Sequence, residues 1–175
     1  EMKAAREPLT TRGLLGLARD GRALFPARGA EVLRRLERAR SRNLALARRV
    51  IEILHERGME RQALVHSFSP VACAAARALA PRLRVALLGG EHLRTQRGWR
   101  RLERWAELLD LAGINPPLLG VIPEAVARCR DAGRTVAVYT VDRPADMRRL
   151  AAMGVDAIIT NRPGACRAAL EVHQG

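Results

Sequence analysis

The sequence predicts an α/β fold in which parallel strands alternate with helices. From residue 62 onward, short apolar segments and helical patterns follow each other at intervals of roughly 20 to 30 residues, as in βαβ units. Apolar runs such as VALL (85–88) and AII (157–159) fit strands that are buried on both faces. No GxGxxG motif follows a strand, so the main signal of a dinucleotide-binding fold is missing. The pattern alone leaves open a doubly wound sheet or a (β/α)8 barrel.

Apolar runs and punctuating residues predict the individual elements. Strands are expected within residues 63–68, 83–90, 113–120, 134–142 and 155–160. Helices are expected within residues 70–80, 99–111, 123–133, 145–153 and from about residue 163 onward. Pro123 and Gly133 illustrate the punctuation, because proline favours the first helical turn and glycine follows the last one.

The first third of the chain gives a weaker signal. Residues 30–57 are amphipathic and form one helix or two, with Ser41 as a possible cap of the second. Residues 4–29 show no clear period and hold four glycines, two prolines and five arginines. We expect an inserted loop there, at the carboxyl ends of the strands. It is either a lid that attracts an anionic substrate or a disordered basic insertion.

Composition narrows the class of partner. The formal net charge is +13, and Lys3 is the only lysine beside thirty arginines. A basic surface favours anionic ligands, but five scattered aromatic residues do not make a platform for single-stranded nucleic acid, and no nucleic acid is expected as a partner. No segment is long and apolar enough to span a membrane.

Cysteine usage bears on the compartment. Three cysteines without a CxxC spacing are expected to be reduced, which favours the cytoplasm. The chain begins with Glu rather than Met, which suggests a fragment and leaves a secreted or periplasmic location open.

Candidate site residues lie at the ends of predicted strands. Glu1 and Lys3 share a strand face, where a carboxylate can bind a divalent cation and an ammonium can contact phosphate. A solvated terminal tripeptide is the alternative. Phe68 and Tyr139 end their strands, where α/β enzymes build their sites, although core packing would also place aromatic residues in strands.

Four segments then follow one another in a specific order. They are EMK (1–3), LVHSFSP (64–70), INPPLL (114–119) and VAVYTVDRPADMRRLAAMGVDAIITNRPG (136–164). The order resembles the later part of a glycerophosphodiester phosphodiesterase: Glu-aliphatic-Lys, Ser-Phe, Trp-Thr-Val-Asn and Gly-Val-Asp-Gly-Ile-Ile-Thr-Asp-x-Pro. This family has a TIM-type barrel related to that of the phosphatidylinositol-specific phospholipases C. The resemblance covers residues 1–3 and roughly 43–165.

The resemblance implies a fold, a reaction and residue roles. The fold would be an incomplete TIM-type (β/α)8 barrel with about six of its eight strands. The reaction would be metal-dependent hydrolysis of a glycerophosphodiester to glycerol phosphate and an alcohol, a step of lipid metabolism. Glu1 would bind the cation (Mg²⁺ or Ca²⁺), Lys3 would contact the substrate phosphate, and Phe68 and Tyr139 would line the substrate pocket.

The sequence also departs from the family pattern. Tyr139 replaces the usual Trp, Asp142 replaces Asn and Asn161 replaces Asp, which puts pocket shape and substrate preference in question. The His-Arg-Gly motif, the Glu-x-Asp metal pair and the second catalytic histidine of the family do not occur, and no residue here is assigned as catalytic. The four histidines do not match the family's catalytic positions: His55, His66, His92 and His173.

These departures shape the functional expectation. We expect a C-terminal fragment of such an enzyme that is inactive alone and able to self-associate through unpaired strand edges. The alternatives are a non-catalytic domain that kept the barrel fold and binds anions or a partner, and a different phosphate-handling barrel.

Overall fold

The computed structural model describes residues 8–18 and 23–171, and helices and strands alternate there as predicted. The described helices are Pro8–Leu17 (α1), Gly29–Arg38 (α2), Arg42–Glu56 (α3), Pro70–Leu79 (α4), Gln96–Leu108 (α5), Pro123–Asp131 (α6), Pro144–Met153 (α7) and Pro163–Glu171 (α8). The described strands are Leu64–Ser67 (β1), Arg84–Leu88 (β2), Gly113–Asn115 (β3), Thr135–Val138 (β4) and Ala157–Ile158 (β5). Two 3₁₀ turns cover Glu91–Arg94 and Leu118–Gly120. All five strands predicted between residues 63 and 160 are confirmed, in shorter form; the strand expected at residues 1–3 lies outside the described residues.

The described chain divides into two compact units. The first unit extends to Leu88 and includes Glu103–Ala112; the second contains Gly89–Leu102 and the chain from Gly113 onward. In the first unit, β1 and β2 pair in parallel from Leu64↔Arg84 to Ser67↔Leu87.

Helix α4 lies at the centre of the first unit. Six consecutive residues, 71–76, are buried, because α4 packs against both strands and also against α2 and α3. Its alanine-rich sequence suits this position, since small side chains allow neighbours to approach from several directions. The burial of the whole segment therefore comes from packing on more than one side.

The amphipathic stretch after residue 29 forms two helices. Helix α2 ends at Arg38, and α3 begins after Ser41, whose hydroxyl accepts a hydrogen bond from the Leu44 amide at 3.2 Å. This is the N-cap predicted from the sequence, and it satisfies a donor that the first turn of a helix leaves unpaired.

The prediction that residues 4–29 are irregular is wrong over Pro8–Leu17, which forms α1. Leu14 is buried, and α1 packs against α2 and α4. Further along, Leu24 is fully buried, and its amide donates to the Leu108 carbonyl at 2.7 Å. The stabilisation from burying apolar side chains therefore exceeds the cost of placing glycines in a helix.

The end of this segment lies against helix C-termini. Phe25 is buried, and the Arg77 guanidinium lies 5.9 Å from the centre of its ring. Arg77 also pairs with Asp110 at 2.6 Å. Crossover helices run antiparallel to their strands, so the last turn of α4, which holds Arg77, lies toward the amino ends of β1 and β2. Leu24 and Phe25 therefore do not form the predicted lid over the carboxyl ends of the strands.

The second unit contains the other three strands. Strand β4 pairs in parallel with β3 (Ile114↔Val136) and with β5 (Val138↔Ile158). Gly113 allows the close approach of β4, because a Cβ there would lie 2.7 Å from the Thr135 carbonyl oxygen. Within residues 8–18 and 23–171, no helix has the length and hydropathy needed to cross a bilayer.

Candidate functional site

Tyr139 lies at the carboxyl end of β4 and is held there on three sides. Its amide donates to the Pro116 carbonyl at 3.1 Å, and its carbonyl accepts from the Leu118 amide at 2.6 Å. Its side-chain hydroxyl donates to the Gly89 carbonyl. The side chain is half-buried, so Tyr139 can offer its ring to a ligand, while its hydroxyl already has a backbone partner.

Gly89 completes this arrangement within the second unit. Its amide donates to the Asn115 carbonyl at 2.9 Å, at the carboxyl end of β3. A Cβ at Gly89 would lie 2.8 Å from Leu93 Cγ and 3.2 Å from Leu102 Cδ2. Glycine is therefore needed at this position, because these leucine side chains leave no room for a Cβ.

Trp99 holds the turn that follows β3. Its indole is fully buried, and Nε1 donates to the Gly120 carbonyl at 2.8 Å. The Gly120 amide in turn donates to the Pro117 carbonyl at 2.8 Å. Because Leu118 is bonded to Tyr139, the buried indole indirectly fixes the position of the candidate pocket residue.

Asp142 and Asn161 form a pair across the ends of β4 and β5. Asp142 Oδ2 accepts from Asn161 Nδ2 at 2.9 Å, and Oδ1 accepts from the Asn161 amide at 2.8 Å and from Thr160 Oγ1 at 3.0 Å. The side-chain bond from Asn161, followed by its backbone bond, lowers the pKa of Asp142 below its usual value. The carboxylate is therefore the form that this pair stabilises.

This pair explains two departures from the family pattern together. Where the pattern has Asn and then Asp, this chain has Asp142 and then Asn161. The carboxylate and the carboxamide have exchanged places across one hydrogen bond, so the two changes compensate each other. In the sequence the two positions are 19 residues apart, so each change is by itself a separate departure from the pattern.

Phe68 follows β1 in the first unit and projects outward from a fixed turn. Ser67 is fully buried, and its hydroxyl accepts from the Ser69 amide at 3.2 Å. The Ser69 hydroxyl caps α4 by accepting from the Ala72 amide at 3.3 Å. The two serines fix the backbone on either side of Phe68, whose side chain remains 52% exposed.

The four predicted site residues are only partly placed. Phe68 and Tyr139 each lie at the carboxyl end of a strand, as predicted, in separate units. Glu1 and Lys3 lie outside the described residues, so the convergence of all four remains a prediction. Within the described ranges, no group of three or more His, Cys, Asp or Glu side chains is arranged to hold a metal ion.

His55 is exposed and Cys73 is buried, and among the described residues neither belongs to a group that could hold a metal ion. His55 Nδ1 lies 3.3 Å from Glu60 Oε1 at an exposed position, beside a cavity of about 530 Å³ between the ends of α3 and α4. Cys73 is fully buried, and burial raises the pKa of its thiol to about 12. Cys73, Cys129 and Cys166 are all free thiols.

Comparison with known proteins identifies the family. The model of the glycerophosphoryl diester phosphodiesterase family matches residues 31–165. A glycerophosphodiester phosphodiesterase of Caldanaerobacter subterraneus is 30% identical over 117 residues, which cover 66% of this chain and 45% of that protein. The chain thus spans about half the length of the curated relatives it matches.

Solved structures agree on the fold. A glycerophosphodiester phosphodiesterase from Parabacteroides distasonis superposes with a TM-score of 0.65 at 26% identity, covering 77% of this chain and 53% of that one. An Oleispira antarctica phosphodiesterase in complex with the product sn-glycerol-3-phosphate has a TM-score of 0.62 at 21% identity, covering 74% and 50%.

The predicted fold class is thereby confirmed as α/β of the TIM-barrel type, with the barrel incomplete because the described residues supply five strands. The family match covers all five strands, from β1 to β5, and both aromatic residues of the candidate site. The chain therefore belongs to the glycerophosphoryl diester phosphodiesterase family.

Proposed function

We propose that the protein hydrolyses glycerophosphodiesters to glycerol phosphate and an alcohol, and that this chain supplies the β1–β5 part of the site. The observation that carries the proposal is the family match over residues 31–165, which includes Phe68 and Tyr139 at their strand ends. The Oleispira antarctica phosphodiesterase, which shares the fold, is complexed with sn-glycerol-3-phosphate, and this supports the same class of ligand here.

We propose, on the resemblance, that aromatic side chains bind the organic part of such a ligand. Tyr139 presents an aromatic ring, because its hydroxyl is bonded to Gly89. Phe68 presents a second ring that is half exposed. Aromatic faces suit the carbon skeleton of glycerol, and Lys3 is proposed as the contact for the phosphate. The exchange of Asp142 and Asn161 keeps the adjoining turn in place.

The divalent cation, Mg²⁺ or Ca²⁺, is proposed on the resemblance and on Glu1. The described residues do not by themselves fit a metal ion, since no cluster of three or more acidic, histidine or cysteine side chains occurs among them. A hard cation usually takes six or more oxygen ligands, and a single carboxylate leaves it mostly hydrated. We therefore propose that the chain alone binds the product without turning the substrate over.

The test measures turnover and binding on the same preparation. The chain is incubated with glycerophosphocholine and Mg²⁺ or Ca²⁺, and released glycerol phosphate is quantified enzymatically. Binding of sn-glycerol-3-phosphate is measured in parallel by calorimetry, with Tyr139→Ala expected to weaken it. Turnover that disappears in Glu1→Gln would support the reaction but refute inactivity of the chain alone. Absence of both binding and turnover would refute the proposed function.

A further inference from the structure

The loop between β3 and α6 is unusual in composition. Residues 116–123, PPLLGVIP, are eight consecutive residues without a charge or a polar side chain. Leu119 is 71% exposed, the highest value among the exposed large apolar side chains of the described residues. Loops normally carry polar residues to the surface, so an apolar loop with an exposed leucine suggests contact with an apolar phase.

The exposure of Leu119 does not come from a loose loop. The residue before it donates its amide to the Tyr139 carbonyl at 2.6 Å. The residue after it, Gly120, donates its amide to the Pro117 carbonyl and accepts from the buried Trp99 indole, both at 2.8 Å. Leu119 is therefore presented outward by a turn fixed on both sides.

Arginines lie beside this loop within the second unit. The 3₁₀ turn Glu91–Arg94 packs against the turn Leu118–Gly120, and Arg97 lies in the first turn of α5. The side chains of Arg94 and Arg97 are exposed and make no hydrogen bond or ion pair with the described residues. Arg128 of α6 donates to Gln96 at 3.4 Å, which places α6 beside the start of α5.

We propose that residues 116–123, with Arg94 and Arg97, dock the protein on an anionic lipid surface. An aliphatic side chain can enter the boundary between headgroups and acyl chains, while flanking arginines contact anionic headgroups. The apolar residues of the loop are aliphatic, so the base-stacking platform that single-stranded nucleic acid requires is missing from this loop. The proposal does not rest on the proposed hydrolysis, since a surface can bind a membrane whether or not the site turns over substrate.

The test uses sedimentation with vesicles of phosphatidylcholine alone and of phosphatidylcholine with phosphatidylglycerol. The protein should bind the vesicles that contain phosphatidylglycerol, and added salt should weaken this binding. Leu119→Ser should reduce the partition coefficient about tenfold, as expected for losing one buried aliphatic side chain. Arg97→Gln should reduce it about fivefold, the contribution of one basic residue near an anionic membrane.

Matched controls separate this surface from the general basicity of the chain. Met59→Ser changes an exposed apolar side chain of the first unit, and Arg148→Gln removes an exposed arginine of α7. Both should leave binding within about twofold of the wild type. Glu124→Gln, in the first turn of α6, should strengthen it. Equal losses in the test and control variants, or no binding to the anionic vesicles, would overturn the proposal; unchanged circular dichroism spectra show that each variant is folded.

Discussion

Replacing Trp99 by Phe tests how the candidate site is supported. Trp99 is fully buried, and its N–H is 2.8 Å from the Gly120 carbonyl of the turn that bonds to Tyr139. Phenylalanine removes the donor, and leaving a buried carbonyl without it costs about 1–3 kcal/mol. The smaller ring also leaves a cavity that costs roughly 1 kcal/mol. We expect a loss of about 3 kcal/mol in the free energy of unfolding.

Urea unfolding followed by far-UV circular dichroism measures this loss. For a chain of this size, the midpoint should fall by about 1.5 M. The matched control is Trp105→Phe, because Trp105 is half-buried and its indole N–H makes no hydrogen bond with the described residues. Its cost should stay below about 1 kcal/mol. Equal losses in the two variants would refute the argument that the bond to Gly120 stabilises the turn.

Three other perturbations address the neighbouring contacts. Tyr139→Phe should cost about 1 kcal/mol, since it removes only the hydroxyl bonded to Gly89, and an unchanged thermal midpoint would contradict that contact. Gly89→Ala should lower the free energy of unfolding in urea by about 1–3 kcal/mol, because the added Cβ would press on Leu93. Gly164→Ala should be nearly neutral, because an added Cβ there would meet no atom within 4 Å. Asn161→Asp alone should lower the melting temperature by opposing two carboxylates, and adding Asp142→Asn should restore it; a failure to restore would contradict the exchange.

Asp142 also predicts a direction of pH dependence. Its folded pKa is lowered, so its stabilising contribution is present above the unfolded value near 3.8 and is lost as pH falls through the lower folded value. The free energy of unfolding of the wild type should therefore fall relative to that of Asp142→Asn as the pH falls below about 4. Parallel acid-unfolding curves for the two proteins would contradict the assignment.

Strand and helix positions could be predicted where local chemistry decides them. The run VALL is β2, Pro123 begins α6, and Ser41 caps α3 as the sequence indicated. Helix α1 was missed, because glycines and prolines suggested a loop while burial of Leu14 against α2 and α4 supports a helix. That burial depends on tertiary packing, which a local sequence pattern does not report.

In the candidate site, too, the features set by local sequence could be predicted and those set by tertiary packing could not. Phe68 and Tyr139 could be placed at strand ends because each ends a recognisable apolar run. The pairing of Asp142 with Asn161 could not, because it depends on how β4 and β5 align, for example through the bond from the Val141 amide to the Ile159 carbonyl. Residues 19 positions apart carry no local signal of such a contact.

The most direct test of the account is a titration of the ¹⁵N-labelled chain with sn-glycerol-3-phosphate, followed by two-dimensional NMR. We predict saturable shifts of the amide resonances of Phe68, Tyr139 and Asn161, because the ligand is proposed to bind at the carboxyl ends of the strands. Tyr139→Ala should weaken the apparent affinity at all three positions. Shifts confined to the cavity beside His55, or no saturable shift at all, would contradict the proposal that the carboxyl ends of the strands bind glycerol phosphate.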